Sequence, residues 1–205
     1  MLTFEPATRR VGELVARVTD DQLSAPTPCE KSTLGDLLDH LSGLAKAFVW
    51  AARKDPASGA DGPSADAARL GADFRTGIPA ELTALAEAWR DPQAWQGMTR
   101  AGGIELPGEV AGLVALSEVV IHGWDVARAS DQAYDVDPAT LDACLRHVST
   151  FAGGEPIEGL FGRAVEVPAD APPLDRLIAG SGRDPAWTRP RSSPVPAPGA
   201  VLDSS

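Results

Sequence analysis

The strongest hydrophobic pattern in the chain lies in the stretch 110–130, which reads VAGLVALSEVVIHGWDVARAS. At 100° per residue its apolar side chains do not form a single stripe but point nearly all round the helix axis, as do Leu113, Val114, Leu116, Val119, Val120, Ile121, Trp124 and Val126. A helix with apolar side chains on every side is typically buried. The stretch therefore predicts a helix that opens at Pro107 and is enclosed by protein.

Three ionisable residues interrupt this apolar helix. Glu118 and His122 are four residues apart and share one face, and Asp125 follows about one turn later. Burying these groups without partners would cost several kcal/mol. A divalent metal would satisfy them, and so would a Glu–His hydrogen bond inside a bundle; the stretch alone leaves both open. Gly123, a poor helix former, indicates a close approach to the helix backbone by a ligand or by a neighbouring helix.

Periodic apolar positions predict helices on both sides of this element. They cover 6–19, a segment from Ser32 or Thr33 to about 54, a segment from about 65 to 90 that is disturbed near Pro79, a segment from Asp137 to Phe151, and a short piece at 172–179. Glycines at 102 and 103 between two short segments predict a hairpin or an irregular crossing. The helix lengths suggest a bundle of four long helices with additions.

Two further places in the chain are candidate sources of metal ligands. His40 lies at the edge of the apolar arc of the second helix, where a lone histidine is more often a satisfied residue at the border of the core than a ligand. Cys144 lies on the predicted inward stripe of the helix after Asp137, together with Val148 and Phe151, and His147 lies beside that stripe. Two ligands without a third are weak evidence for a metal, so we interpret this pair as structural.

Composition narrows the class of protein. The chain has 205 residues, of which 43% are hydrophobic, and this length suits one domain with a sizeable core. Its net charge of -11 argues against a nucleic-acid or anionic-membrane partner, because both would repel it. Two cysteines give no disulfide framework, no signal peptide is recognisable, and we expect no apolar stretch to reach transmembrane length. A soluble, cytoplasmic protein acting on small molecules is expected.

The pattern changes after Gly153 and Gly154. We predict a helical bundle over 1–153 and a small C-terminal extension over 154–188, packed on the bundle and containing an extended piece at 161–167. The segment 189–205 is rich in proline, serine and alanine. Such a segment cannot bury enough apolar surface to order itself, so it is predicted to be a disordered tail.

Several short motifs together resemble one actinobacterial family. They are PTPC at 26–29, DLLDH at 36–40, EVVIHGWD at 118–125, FG at 161–162, PPLDRL at 172–177 and GRDP at 182–185. The chain resembles the mycothiol-dependent maleylpyruvate isomerase-like, DinB/YfiT-like metal-binding proteins over about 6–187. It is most similar to the short branch without the long C-terminal domain of the isomerase. The resemblance implies an all-α fold, a DinB/YfiT-like four-helix bundle with a short irregular extension.

The resemblance also implies a metal site. Carried over by motif, the metal ligands of the family fall on His40, Glu118 and His122, which reverses the structural interpretation of His40. Asp36, Trp124 and Asp125 would then surround the ligands or line the pocket, with the carboxylates orienting the imidazoles. Two imidazoles and one carboxylate leave a coordination position open, as catalytic zinc sites do. Zinc is the default metal, and nickel or iron would accept the same ligands.

An open position on a bound cation favours two kinds of chemistry. A thiol there would be deprotonated, and a water would become a hydroxide equivalent. We predict a mycothiol-dependent thiol transferase or isomerase that acts on an electrophilic small molecule, with the catalytic groups unassigned. The alternatives are a metal-dependent hydrolase on the same ligands and a non-catalytic, metal-stabilised stress-response module. A homodimer is left open.

Two further expectations follow from this site. Cys29 lies in a proline-rich loop before a helix, but the reacting thiol is external, so we interpret Cys29 as structural. Metal binding needs neutral imidazoles, so affinity is expected to fall as the pH drops through the ordinary histidine range near about 6.5.

Overall fold

The computed structural model describes residues 2–29, 31–55, 65–151 and 162–190. Within these ranges the structure is almost entirely helical, as predicted, with one two-stranded sheet. The elements, in chain order, are α1 (Glu5–Ala16), α2 (Leu34–Arg53), α3 (Phe74–Ala88), β1 (Met98–Ala101), β2 (Ile104–Pro107), α4 (Gly108–Ala129), α5 (Pro138–Ser149) and α6 (Pro173–Gly180). Short 3-10 turns lie at Asp20–Gln22, Ala67–Arg69 and Pro92–Trp95.

Four helices form the bundle. α1 packs against α3 and α4, and α2 packs against the same two helices, so the cyclic order around the core is α1, α3, α2, α4. α5 covers α4 from outside, and α6 packs on α5. The predicted four-helix bundle with a short C-terminal addition is confirmed.

The central position of α4 agrees with its apolar sequence. Every residue from 115 to 127 is buried, including the three ionisable ones. By length and composition α4 would also be able to cross a membrane, so the expectation that no stretch reaches that length was wrong. However, 83% of the relevant window is buried inside the structure, so the bundle itself encloses the apolar surface.

Local sequence signals set the ends of several elements. Thr33 caps α2 by accepting a hydrogen bond from the backbone N–H of Asp36, and the Asp36 carboxylate accepts one from the N–H of Thr33. Asp137 caps α5 with Pro138 in the first turn. Gly102 and Gly103 both have positive φ and close the antiparallel hairpin of β1 and β2, which needs that backbone conformation.

The third predicted helix begins later than expected. α3 starts at Phe74 rather than near 65, and Pro79 lies inside it. Ala67–Arg69 form a 3-10 turn instead, because the backbone N–H groups of Asp66 and Ala67 bond to carboxylates on α2. These bonds come from outside the segment, so its own pattern did not reveal them.

Other predictions are corrected or lie outside the described residues. Phe151 does not face the core as predicted: it follows the end of α5 and is exposed. Residues 162–167 form no strand, although Gly162 and Val165 donate backbone hydrogen bonds to Ser181 and Ala179. The loop at 56–64, Phe161 and the segment 191–205 lie outside the described residues. The proposed domain boundaries therefore stay a prediction.

Gly123 lies where α4 meets its neighbours. A Cβ placed there would come within 2.5 Å of Val11 Cγ2 and 2.7 Å of the Tyr134 hydroxyl oxygen. The atoms that approach Gly123 belong to α1 and to Tyr134. The structure therefore supports close packing as the reason for a glycine at this position.

Gly123→Ala is expected to destabilise the protein by about 1 to 3 kcal/mol, because the added methyl group overpacks this contact. Gly77→Ala in α3 is the control, since its Cβ meets nothing closer than 3.9 Å, and it should be neutral or stabilising by up to about 1 kcal/mol. Urea unfolding of both variants measures this. Equal stability of the two would contradict the packing account.

Candidate metal centre

Two neighbouring helices of the bundle supply the predicted ligands. His40 projects from the second turn of α2 and is half-buried, while Glu118 and His122 lie one turn apart on α4, each only 6% exposed. α2 and α4 pack side by side, so residues nearly 80 positions apart in sequence face one another. The structure thus brings together the three residues that the motifs singled out.

The three side chains converge closely. The rings of His40 and His122 have centroids 5.0 Å apart and are nearly perpendicular, at 81°. His122 Nε2 lies 3.2 Å from Glu118 Oε2. One donor atom from each residue lies within 4.8 Å of the other two. In the described part of the chain this is the one group of three or more histidine, cysteine or acidic side chains with such geometry.

The other edge of the His122 ring faces a second carboxylate. His122 Nδ1 lies 3.0 Å from Asp125 Oδ2. Asp125 is fully buried, and Arg183 Nε donates to both of its oxygens, at 2.9 and 3.0 Å. Arg183 follows α6, so the C-terminal segment reaches the centre of the bundle. A continuous chain of polar contacts therefore runs from Arg183 through Asp125 to His122 and Glu118.

These contacts determine the charges of the metal-free site. Burial alone would lower the pKa of His122, but the hydrogen bonds and charges of Asp125 and Glu118 outweigh it and raise the pKa to about 9. Burial would raise the pKa of Asp125, but the charge of Arg183 and the hydrogen bond from His122 hold it below its usual range. In the absence of a metal, the raised pKa makes His122 an imidazolium at neutral pH, in contact with Glu118 and Asp125.

The raised pKa of His122 in the metal-free site bears on the pH range in which we expect metal affinity to fall. An ordinary imidazole releases its proton near about 6.5, which was the basis of the expectation. His122 retains its proton up to about pH 9 because Asp125 and Glu118 stabilise the charged form. A metal ion must displace that proton, so affinity should already decline as the pH falls below about 9.

The structure gives two predicted pocket residues other contacts. Asp36 accepts hydrogen bonds from Thr33 and from the backbone N–H of Ala67, so it stabilises the start of α2. These bonds also hold its pKa below the usual range. Trp124 is buried, with the guanidinium of Arg128 over its ring at 5.3 Å. Their roles around the metal ligands stay predictions.

The two cysteines and the third histidine do not belong to the cluster of three donors. Cys29 is partly exposed in the loop before α2, where its backbone N–H donates to the Thr27 hydroxyl. Cys144 is fully buried on α5, and burial raises the pKa of its thiol to about 12. His147 is also buried, and burial lowers its pKa. A neutral thiol and a buried imidazole agree with the structural interpretation of this pair.

Arg183 is the site residue that the residue-by-residue interpretation of the sequence missed. Its motif, GRDP, served only to establish the resemblance. A signal was present nonetheless: a predicted buried Asp125 beside a buried Glu118 and a single histidine leaves an excess of negative charge, which calls for a cation from elsewhere in the chain. Spacing along the sequence does not say which arginine supplies it.

Comparison with known proteins places this geometry in a family. The family model described as the mycothiol maleylpyruvate isomerase N-terminal domain matches residues 4–127. The chain belongs to this family. The matched segment contains His40, Glu118, His122 and Asp125 and ends before Arg183.

Individual relatives extend the comparison to nearly the whole chain. Two uncharacterized proteins from two strains of Mycobacterium tuberculosis are each 29% identical over 194 residues, which is 89% of this chain and 97% of theirs. Crystal structures of the mycothiol-dependent maleylpyruvate isomerase and of a histidine-to-alanine mutant of it superpose with TM-scores of 0.51 and 0.53. These two are 18% and 16% identical to the chain and cover 72% of each partner, so the likeness supports the fold.

The donor set is suitable for a divalent cation. Two imidazole nitrogens and a carboxylate oxygen are ligands that zinc accepts at about 2.0 to 2.2 Å, so two ligands of one ion lie at most about 4.4 Å apart. The donor atoms here lie within 4.8 Å of one another, so small rotations of the side chains would bring all three to one ion. Asp125 also supplies the carboxylate that usually orients a metal-bound imidazole. The residues present therefore fit a metal.

The His122 pKa predicts how the metal-free protein responds to pH. Because the folded pKa of about 9 exceeds the unfolded value of about 6.5, its stabilisation is complete below about 6.5 and is lost as the pH rises through about 9. The shift corresponds to at most on the order of 3 kcal/mol.

Urea unfolding of chelator-treated protein at about pH 6 and about pH 9 measures this loss. In the His122→Gln variant, the free energy of unfolding should no longer fall between these two pH values on account of His122. The His147→Gln variant should keep this fall, because the pKa of His147 is lowered and not raised. A wild-type protein and a His122→Gln variant with the same pH dependence would contradict the charge assignment.

Proposed function

We propose that this protein is a metal-dependent enzyme that uses mycothiol as a co-substrate, either a thiol transferase or an isomerase acting on an electrophilic small molecule. His40, Glu118 and His122 would hold the cation, with zinc the leading choice and nickel or iron compatible with the same donors. The observation that carries the proposal is the convergence of these three side chains inside a domain of the mycothiol maleylpyruvate isomerase family.

The donor set suits a site that exchanges a ligand. Three protein ligands leave at least one position of a four-coordinate ion for an incoming molecule, whereas a structural zinc site closes all four. His40 is the most exposed of the three, so an incoming thiol would reach the centre from the side of α2. The deep side of the site is closed by Asp125 and Arg183.

The chemistry follows from this arrangement. When bound, a divalent cation lowers the pKa of a thiol that coordinates it, so that the sulfur is a nucleophile at neutral pH. The thiol would release its proton to solvent on binding, and the thiolate sulfur would then add to one carbon of an electrophilic double bond, whose π electron pair would take up a proton from solvent. In a transferase that bond persists in the product; in an isomerase it breaks again and the thiol is regenerated. The chain holds the donors in place, and Asp125 keeps the His122 ring oriented.

The partners fit the charge of the chain. With a net charge of -11, small molecules are favoured over nucleic acid or anionic membranes. The hydrolase alternative uses the same donors with water in place of the thiol, and the stress-response alternative uses the metal without turnover. The experiments below separate the three.

Purified protein is expected to contain about one divalent metal per chain, because three converging donors suffice for tight binding. His40→Ala and His122→Ala should lose the metal. His147→Gln is the matched control: it changes the third histidine of the chain, outside the cluster, and should keep the metal. Elemental analysis of the four proteins measures this. Unchanged metal content in the His40 and His122 variants would refute the ligand assignment.

A conjugation assay with mycothiol and a panel of electrophiles should give turnover that requires both the thiol and the metal. Cys29→Ser should keep most of this turnover, since the reacting thiol is external to the chain. Liquid chromatography with mass detection follows the adduct or the isomerised product. Cleavage of substrates without thiol would favour the hydrolase, and a metal-loaded protein without either activity would favour the non-catalytic module.

A further inference from the structure

Arg183 lies outside the segment that the family model matches, yet its backbone is held firmly near the bundle. It follows the C-terminus of α6, where its N–H bonds to Ile178 O at 3.2 Å. The turn before it needs a glycine: Gly182 has φ of +89°, and a Cβ there would lie 2.6 Å from the Cα of Gly162. The chain direction at Arg183 is therefore set by two independent backbone constraints.

The side chain of Arg183 is directed at Asp125. Its Nε–H is shared between the two carboxylate oxygens, and the side chain is only 12% exposed. Asp125 is 0% exposed and contacts His122 Nδ1 through Oδ2. In the described part of the chain, Arg183 and His122 are the charged partners that the structure gives to this carboxylate.

The geometry orients the His122 imidazole. A histidine that donates one ring N–H to a fixed carboxylate presents its other nitrogen in a defined direction. Here Nδ1 is engaged by Asp125, so Nε2 points toward Glu118, 3.2 Å away, and toward the ring of His40. The carboxylate in turn can hold this position only if its own rotation is restricted, and both of its oxygens are bound by Arg183.

We propose that Arg183 is a positioning residue of the candidate metal centre, which acts through Asp125 to keep His122 Nε2 directed at the metal position. This inference rests on the proposed metal centre. It assigns the C-terminal extension a role in metal affinity, although the extension supplies none of the three donors. Arg183 itself need not touch the metal or the substrate.

A simpler role must be separated from this one, namely that Arg183 only attaches the C-terminal segment to α4. Arg128 provides the comparison. It lies on α4, its Nη2 donates to Pro185 O at 3.3 Å, and its guanidinium covers the Trp124 ring. Arg128 thus connects the same segment to the same helix without a described contact to Asp125, so Arg128→Gln is the matched control for Arg183→Gln.

The test measures zinc affinity of the full chain by competition with a chromophoric chelator. Arg183→Gln is expected to weaken affinity by about 10- to 100-fold, the range typical for removing a group that orients a ligand. Arg183→Lys, which restores a cationic donor without the planar guanidinium, should recover part of the loss. Arg128→Gln should stay within about twofold of the wild type.

A double-mutant cycle tests whether Arg183 acts through Asp125. Asp125→Asn should itself weaken affinity, and Arg183→Gln should add little further loss in that background, because the connection is already broken. The ¹⁵N shifts of the His122 ring in metal-free protein give a readout independent of metal, and should move in Arg183→Gln but not in Arg128→Gln.

The outcomes are distinct. If wild type binds zinc, His40→Ala does not, and Arg183→Gln binds as tightly as wild type, the metal centre stands and the positioning role is refuted. Equal losses in Arg183→Gln and Arg128→Gln, or full additivity with Asp125→Asn, would also refute it in favour of simple attachment. If wild type itself binds no metal, the proposed function fails. Should Arg183→Gln not fold, Arg183→Lys and the ring shifts of Asp125→Asn decide the question.

Discussion

Burial of charged side chains in the central helix is the constraint on which the rest of this structure depends. Glu118, His122 and Asp125 lie in a run of α4 where every residue is enclosed by protein. Each would cost several kcal/mol if buried without a partner. The bundle meets this cost by bringing His40 from α2 and Arg183 from beyond α6 to the same helix. The elements that pack around α4 therefore also supply the partners of its buried charged residues.

Much of the fold was predictable because its signals are local. The all-round apolar pattern of α4, the Thr33 cap, the Asp137–Pro138 start of α5 and the glycine pair of the hairpin each depend on neighbouring residues in sequence. The start of α3 was not predictable in this way. Residues 66 and 67 are held by Asp39 and Asp36 of α2, so a tertiary contact overrides the helical pattern there.

The residues of the candidate site also differ in whether their signals are local in sequence. The spacing of Glu118 and His122 alone identified them as candidate ligands. His40 became a candidate only through the family motifs, because a single histidine at the edge of a helix does not indicate a metal site. Asp36 illustrates the opposite case: we expected it around the metal ligands, whereas it lies three residues after Thr33, the position of a capping-box partner, and the structure gives it that contact. Arg183 is 58 positions from Asp125, so nothing in its spacing connects them.

The two faces of the site differ in a way that fits a centre open to exchange. On the inner face, the Asp125 carboxylate is completely enclosed and Arg183 binds both of its oxygens, so this side can be rigid without blocking a ligand. On the outer face, half-buried His40 borders the entrance. In the proposed metal centre, a rigid inner face would keep the direction of His122 constant while molecules enter and leave on the other side. In a preorganised site of this kind the donors are already ordered when the protein has folded. An incoming molecule therefore does not have to order them when it binds.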